Sequence, residues 1–200
     1  MKGFAVLASG RGSNFQALIE AMEAGTLPAR CLRLITDNPS AYAIERAEKA
    51  GIPVTVLDFA SYPGRSAYEQ ALLREMRATG ADLFVLAGYM RILDREIVEA
   101  FPRRILNIHP ALLPSFPGLH AQRQALEHGV RVSGCSVHLV DSGTDTGPII
   151  LQRCVRVEQD DTEESLADRI LEEEHRILPE AVRLFMEGRL NVQGRRVRIR

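Results

Sequence analysis

The sequence has 200 residues, of which 46% are hydrophobic and 26% are charged, and its formal net charge is −1. This composition is typical of a globular protein with a sizeable core and excludes a disordered or fibrous chain. A charge so close to zero argues against nucleic acid or an anionic membrane surface as the main partner. No apolar run is long enough to span a bilayer and no signal peptide precedes the first apolar run, which predicts a cytoplasmic protein.

The first half of the sequence alternates short apolar runs with amphipathic stretches, which predicts strands followed by helices. The predicted strands are Phe4 to Ala8, Cys31 to Thr36, Pro53 to Leu57 and Asp82 to Ala87. The first predicted helix has Phe15, Leu18, Ile19 and Met22 on one apolar stripe, and the second extends from Ala41 to Ala50. A third helix is opened by Ser66, with Glu69 in capping-box register, and a short fourth helix is capped by Asp94.

The second half begins with an apolar strand that ends at Asn107 and His109, and an irregular, proline-rich segment from Pro110 to His120 follows it. The remaining predicted elements are a helix from Ala121 to His128, strands from Val132 to Val140 and from Ile149 to Val157, and a long helix from about Thr162 to Glu187 with a bend at Pro179. The arginine-rich end is interpreted as a solvated edge hairpin around Gly194, with a nucleic-acid arm as the alternative.

This order of elements predicts one α/β domain over residues 1–200. We expect a doubly wound, mostly parallel Rossmann-like sheet with an antiparallel portion in the C-terminal half. Cys31, Cys135 and Cys154 are far apart in the sequence, and the five histidines show no metal-ligand spacing. We therefore expect three reduced thiols and no metal site.

A glycine-rich turn, Ser9-Gly10-Arg11-Gly12-Ser13-Asn14, separates the first strand from the first helix. Such a turn presents backbone N–H groups at a helix N-terminus, where an anion is stabilised. Phe15 stands where a dinucleotide fingerprint has its third glycine, and no Gly-Lys-Ser/Thr of a nucleotide P-loop is present. The turn therefore favours a mononucleotide or sugar phosphate over NAD or ATP; the alternative is a tight turn that only needs small residues.

Asn107 and His109 lie two positions apart at the end of a strand, so their side chains share one face. Pro110 ends the strand, which places both at the carboxyl edge where α/β proteins bind ligands. The loop from Asp141 to Pro148 follows a later strand, but Gly147 and Gln152 do not fit a calcium loop. This loop supplies a carboxylate partner for His109, and both Asp141 and Asp145 are candidates. An acid, an amide and a carboxylate without a nucleophile motif favour group transfer through a tetrahedral intermediate.

Four segments resemble a known family of one-carbon transferases. They are Asn107 to His120 (NIHPALLPSFPGLH), Gly10 to Asn14, Gly88 to Leu93 and Asp145 to Pro148. Together, in this order, they resemble the formyltransferases that use 10-formyltetrahydrofolate, and the Pro-Gly-Leu-His segment resembles the phosphoribosylglycinamide formyltransferase branch of purine synthesis. The resemblance implies that the amine of 5-phosphoribosylglycinamide attacks the formyl carbon directly, without a metal.

The resemblance also implies roles for individual residues. Asn107 would donate to the oxyanion, and His109, kept protonated by Asp145, would stabilise the same oxygen and pass a proton to the departing folate nitrogen. The resemblance thus selects Asp145 over Asp141 as the catalytic carboxylate. The ribonucleotide would be bound by Gly12, Ser13, Asn14 and Glu174. The folate would be bound by Arg65, Met90, Arg91, Ile92, Leu93, Asn107, Val140 and Asp141. The resemblance places the phosphate-binding half of the domain at about residues 1–100 and the catalytic and folate-binding half at about residues 101–200.

Three other functions compete with this interpretation. Methionyl-tRNA formyltransferase would need a further C-terminal RNA-binding domain, and formyltetrahydrofolate hydrolase a further N-terminal regulatory domain; we expect neither in 200 residues. A non-catalytic sugar-phosphate or folate-binding protein would keep the glycine-rich turn without needing Asn107, His109 and Asp145 together.

Overall fold

The computed structural model describes residues 2–200 as two compact units, one extending to Leu106 and the other comprising Asn107–Arg200. The elements that lie in the first unit are β1 (Gly3–Leu7), α1 (Ser13–Glu23), β2 (Arg30–Thr36), α2 (Ala43–Lys49), β3 (Val54–Val56), a 3-10 turn (Phe59–Ser61), α3 (Arg65–Thr79), β4 (Leu83–Leu86) and α4 (Arg95–Ala100). Strand β5 (Ile105–His109) crosses the boundary. The second unit continues with α5 (Ala121–Glu127), β6 (Val132–Leu139), β7 (Ile149–Arg156), α6 (Glu163–Met186), β8 (Leu190–Gln193) and β9 (Arg196–Ile199).

The strands of the first unit run in the order β3-β2-β1-β4, and the pairs β2–β3, β1–β2 and β1–β4 are parallel. Strands β1 and β4 are buried along their whole length, as expected for parallel strands covered on both faces. From β1 the chain adds β2 and β3 on one side of the sheet and then β4 on the other side. The loops after β1 and β4 therefore leave the sheet at a topological switch point. Ligands of doubly wound proteins bind at such points.

The second unit contains strands in the order β5-β6-β7-β9-β8. Strands β6 and β7 are antiparallel, as are β8 and β9, whereas β7 and β9 are parallel. Helix α6 packs against β6 and β7 through an apolar stripe. The buried members of that stripe include Leu166, Ile170, Ile177, Leu178 and Val182. The mixed sheet, mostly parallel with an antiparallel C-terminal portion, confirms the predicted fold class, and the hairpin around Gly194 is formed by β8 and β9.

Several predicted boundaries are wrong in detail. Helix α3 begins at Arg65 after Gly64 and has no side-chain cap, so the capping box assigned to Ser66 and Glu69 is wrong. Because the helix begins two residues earlier than predicted, Glu69 instead lies 3.5 Å from the Arg65 guanidinium as an i,i+4 partner. Asp94 is the N-cap residue of α4, but its side chain accepts no capping hydrogen bond.

A capping box does occur at the start of α6. The Thr162 hydroxyl accepts the backbone N–H of Ser165 at 3.1 Å, and the Ser165 hydroxyl accepts that of Thr162 at 3.0 Å. The helix continues through Pro179 to Met186 as one element. No helix within residues 2–200 combines the length and the apolar character needed to cross a membrane.

Candidate active site

Three of the predicted site residues lie together in the second unit. Asn107 and His109 are on the same face of β5, and Asp145 is in the loop that follows β6. The Asp145 carboxylate accepts from the Asn107 amide nitrogen at 3.3 Å through Oδ1 and lies 3.4 Å from His109 Nδ1 through Oδ2. The Asp141 carboxylate is used inside its own loop, where Oδ1 accepts from the Gly143 N–H and the Thr146 hydroxyl at 3.1 and 2.6 Å. Geometry therefore joins Asp145, rather than Asp141, to the β5 pair.

The backbone of the Asp145 loop is held in an uncommon conformation. Asp145 has a φ of 54°, in the left-handed region that aspartate tolerates better than most side chains. The Gly118 N–H donates to Asp145 Oδ2 at 2.8 Å, which fixes the carboxylate from the opposite loop. Two residues on, a Cβ at Gly147 would lie 1.7 Å from the Leu139 carbonyl oxygen. The loop can therefore close on the end of β6 only with glycine at position 147.

Burial dominates the electrostatics of His109, whose side chain is only 6% exposed. Burial lowers its pKa below the ordinary value, although the Phe116 carbonyl and the Asp145 carboxylate both act to raise it. In the ligand-free chain this shift opposes the expected effect of Asp145, because desolvation of the ring outweighs one carboxylate 3.4 Å away. Nε2 lies 2.8 Å from the Phe116 carbonyl oxygen, so a neutral ring donates there.

The same surroundings keep Asp145 ionised. Burial alone would raise the pKa of its carboxyl, but the His138 ring, the Gly118 N–H and the His109 ring together hold the pKa below the usual range. A neutral imidazole thus faces a carboxylate across 3.4 Å. Any negative charge that develops beside His109 adds to this field and favours protonation of the ring, which is the behaviour of a proton shuttle.

His138 is a member of this cluster that the sequence analysis did not identify. It lies on β6, is 2% exposed, and its Nε2 lies 3.1 Å from Asn107 Nδ2 and 3.5 Å from Asp145 Oδ1. One sequence feature could have identified His138: Ser136 and His138 occupy alternate positions of a predicted strand, so both polar side chains lie on one face. Their partners come from distant segments, so the sequence alone could not specify their contacts.

The proline-rich segment after β5 is tied down by Ser136 and Gln152. The Ser136 hydroxyl donates to the Ala111 carbonyl at 2.7 Å and accepts the Leu113 N–H at 3.0 Å. Gln152 Nε2 donates to the Leu113 carbonyl at 3.0 Å. These bonds replace regular secondary structure and hold the segment that carries Phe116 and Gly118 to His109 and Asp145.

The glycine-rich turn of the first unit presents an uncapped helix N-terminus. Gly12 is the N-cap residue of α1, with a φ of 67° and no side-chain cap, and a Cβ there would lie 2.8 Å from that of Ala43. The Gly10 carbonyl accepts the Ala43 N–H at 3.1 Å, and the Arg11 carbonyl accepts Arg46 Nε at 2.9 Å. These contacts hold the turn against α2, and the N-terminus of α1 that follows the turn is the kind of site at which an anion is stabilised. Arg46 and Ala43 were not predicted as supports.

The predicted folate segment, Met90 to Leu93, follows β4 in the first unit. Met90 and Ile92 are 68% and 64% exposed, whereas Leu93 is buried. Arg91 turns inward: its Nε donates to Asp37 Oδ2 at 2.6 Å, and its guanidinium stacks 3.6 Å from the centre of the Phe59 ring. The Arg91 side chain therefore anchors the segment, while two apolar side chains are left exposed.

Arg65 and Glu69 of α3 also hold this segment. Arg65 donates from its guanidinium to the Ile92 carbonyl at 3.0 Å, and Glu69 accepts the Asp94 backbone N–H. Burial raises the pKa of Glu69, and the Asp94 N–H and Arg65 oppose that shift. The Arg65 side chain remains 62% exposed, so it can still contact a ligand.

The remaining predicted residues are in the second unit. Val140 is half-buried directly after β6, and Glu174 is a buried position of α6 that is 7% exposed. Within residues 2–200, no group of three or more histidine, cysteine, aspartate or glutamate side chains is arranged to hold a metal ion. Cys31, Cys135 and Cys154 are free thiols.

Comparison with known proteins gives a consistent assignment. A family model described as formyl transferase matches residues 2–182. The chain is 42% identical over 186 residues to phosphoribosylglycinamide formyltransferase of Bacillus subtilis (strain 168), covering 93% of this chain and 95% of that protein. It is 44% identical over 189 residues to the trifunctional purine biosynthetic protein adenosine-3 of Drosophila melanogaster, covering 94% of this chain but only 14% of that protein.

A solved structure agrees with these relatives. The crystal structure of glycinamide ribonucleotide transformylase 1 from Symbiobacterium toebii superposes with a TM-score of 0.97 and 55% sequence identity, covering 100% of this chain and 94% of that chain. The chain therefore belongs to the formyl transferase family, as a member of the phosphoribosylglycinamide formyltransferases.

Proposed function

We propose that this chain transfers the formyl group of 10-formyltetrahydrofolate to the amine of 5-phosphoribosylglycinamide, giving the N-formyl ribonucleotide and tetrahydrofolate. The observation that carries the proposal is the grouping of Asn107, His109 and Asp145 within hydrogen-bonding reach in a chain of this family. An amide donor, a buried imidazole and an ionised carboxylate are the groups that acyl transfer between two nitrogens requires.

The reaction begins when the amine lone pair forms a bond to the formyl carbon and the carbonyl electrons move onto oxygen. Asn107 then donates an N–H to the oxyanion, and one such donor is worth about 2.7 to 4 kcal/mol to the transition state. The tetrahedral intermediate collapses when the C=O bond re-forms and the bond from carbon to the folate nitrogen breaks. The formyl oxygen remains on the product throughout.

The attacking nitrogen must lose one proton and the departing nitrogen must gain one. A neutral His109, its pKa lowered by burial, accepts the proton from the attacking nitrogen, and the charge of Asp145 stabilises the imidazolium that forms. His109 then delivers that proton to the folate nitrogen as it departs. Asp145 also orders the water next to the ring, and no proton is gained or lost overall.

We assign binding of the two substrates to separate groups of residues. The backbone amides of Gly12, Ser13 and Asn14 bind the phosphate of the ribonucleotide, supported by the helix dipole of α1, and Glu174 binds its ribose. The folate residues are Arg65, Met90, Arg91, Ile92, Leu93, Asn107, Val140 and Asp141, among which Met90 and Ile92 offer exposed apolar surface and Arg91 acts through its backbone. The chain acts as one formyltransferase domain in the cytoplasm.

The test is release of tetrahydrofolate from 10-formyltetrahydrofolate with one acceptor at a time. The acceptors are 5-phosphoribosylglycinamide, initiator methionyl-tRNA and water. The proposal predicts release that depends on the ribonucleotide. Release with water alone would make the chain a hydrolase, release with the tRNA would make it a tRNA formyltransferase, and no release in any arm would leave a binding protein.

A further inference from the structure

The ring of His138 is held in one tautomer by its neighbours. Nδ1 lies 3.0 Å from the Leu139 carbonyl oxygen, which can only accept, so Nδ1 carries the proton. Nε2 lies 3.1 Å from the amide nitrogen of Asn107, which can only donate, so Nε2 accepts. The contacts of the two ring nitrogens thus match the Nδ1–H tautomer.

The orientation of the Asn107 amide follows from the Asp145 carboxylate, which can only accept a hydrogen bond. One N–H of Nδ2 points to His138 Nε2 at 3.1 Å, and the other points to Asp145 Oδ1 at 3.3 Å. A flipped amide would place its oxygen against the ionised carboxylate and leave the lone pair of Nε2 without a donor. His138 and Asp145 thus fix the orientation of the Asn107 amide group, with its nitrogen towards both of them.

The backbone of β6 and β7 is irregular at His138. Val137 pairs with Leu151 and His138 pairs with Ile149, so Ile150 is an extra residue on β7 and forms a bulge at this point. A bulge increases the local twist and redirects the neighbouring side chains. It lies beside His138, whose ring contacts both Asn107 and Asp145.

We propose that His138 is a positioning residue for Asn107, which is the donor to the oxyanion. His138 retains one Asn107 N–H through Nε2, while the longer bond to Asp145 is exchanged for the formyl oxygen as negative charge develops there. This role rests on the proposed function, because only the transfer reaction creates that oxyanion. The contact between His138 and Asn107 exists without substrate and can be tested separately.

Two substitutions of His138 distinguish the contribution of Nε2 from that of Nδ1. In His138→Gln the amide reaches the position of Nε2 and can offer an acceptor to Asn107, whereas in His138→Asn it reaches only the position of Nδ1. We expect His138→Asn to lower kcat at least about tenfold with little change in either KM, and His138→Gln to lower it no more than about threefold. The matched control is Gln193→Asn on the exposed end of β8, which shortens a side chain by one methylene outside the site and should leave kcat within about twofold.

The second measurement is the NMR spectrum of the Asn107 side-chain amide in the ligand-free protein, assigned by its loss in Asn107→Asp. We expect one amide proton to move upfield in His138→Asn and to stay near its original position in His138→Gln. Equal kcat losses in the two variants with unmoved amide resonances would overturn the proposal, as would unchanged kcat in both. If the wild type transfers no formyl group, the proposed function fails, while the amide spectrum still reports whether His138 holds Asn107.

Discussion

At the scale of single residues, Asn107 supplies the hydrogen bond to the oxyanion in the proposed reaction. We expect Asn107→Ala to lower kcat by about a hundredfold or more while KM for both substrates changes little, because the lost hydrogen bond is made fully only to the oxyanion. Steady-state kinetics with circular dichroism as a folding check measures this. Asn191→Ala on β8 is the matched control. Near-normal kcat in Asn107→Ala would remove this residue from the mechanism.

His109 makes stability depend on pH in a defined direction. Its folded pKa is lowered by burial from about 6.5, so below about pH 6.5 the unfolded chain binds a proton that the folded chain does not. The free energy of unfolding should therefore fall as pH drops from about 6.5 towards the folded pKa, by at most about 1.4 kcal/mol per pH unit. Asp145 does not interfere, since its pKa is lowered from 3.8 and its contribution is lost only at more acidic pH.

Denaturant unfolding at several pH values between 5 and 7 tests this effect. His109→Gln should show a shallower pH dependence than the wild type, because glutamine has no proton to gain in that range. A variant whose stability falls as steeply as that of the wild type would show that other groups account for the slope. A steeper fall in the variant would mean that the folded pKa of His109 is raised.

At the scale of elements, the loop between β6 and β7 positions Asp145 through close packing of its backbone. Gly147→Ala would place Cβ 1.7 Å from the Leu139 carbonyl oxygen, which is backbone and cannot rotate away. We expect the loop to shift, kcat to fall at least about tenfold and stability to fall by about 1 to 3 kcal/mol. Gly64→Ala is the control, because a Cβ there meets nothing within 4 Å. Equal stability and kcat in the two variants would contradict this packing argument.

The segment after β4, from Met90 to Leu93, allows a similar test of the residues proposed to bind the folate. Asp37→Asn removes the charge that holds the Arg91 guanidinium at 2.6 Å and should free the Met90 to Leu93 segment. We expect KM for 10-formyltetrahydrofolate to rise several-fold, with KM for the ribonucleotide unchanged, since a hydrogen bond to a charged group is worth about 1.5 to 3 kcal/mol. Glu99→Gln breaks the exposed pair with Arg95 on α4 and serves as the control. A rise in the KM of the ribonucleotide instead would assign the segment to the other substrate.

At the scale of the whole molecule, the sequence predicted the features that depend on local periodicity. Asn107 and His109 share a face because side chains alternate along a strand, and the Gly12 turn opens a helix because glycine there has a positive φ. The choice between Asp141 and Asp145 depended on which carboxylate reaches β5, and local sequence cannot decide that. The Ser66 cap failed because Gly64 admits an earlier helix start, and the pKa of His109 depends on burial by distant segments.

The most direct test of the account is to follow the formyl group itself. The enzyme is given 10-formyltetrahydrofolate labelled with carbon-13 in the formyl group and 5-phosphoribosylglycinamide, in water enriched in oxygen-18, and the products are analysed by mass spectrometry. Direct transfer predicts one carbon-13 in the N-formyl ribonucleotide for each tetrahydrofolate released, with no oxygen-18 in the formyl group. Carbon-13 recovered as formate, or oxygen-18 in the product, would contradict direct attack of the amine on the formyl carbon.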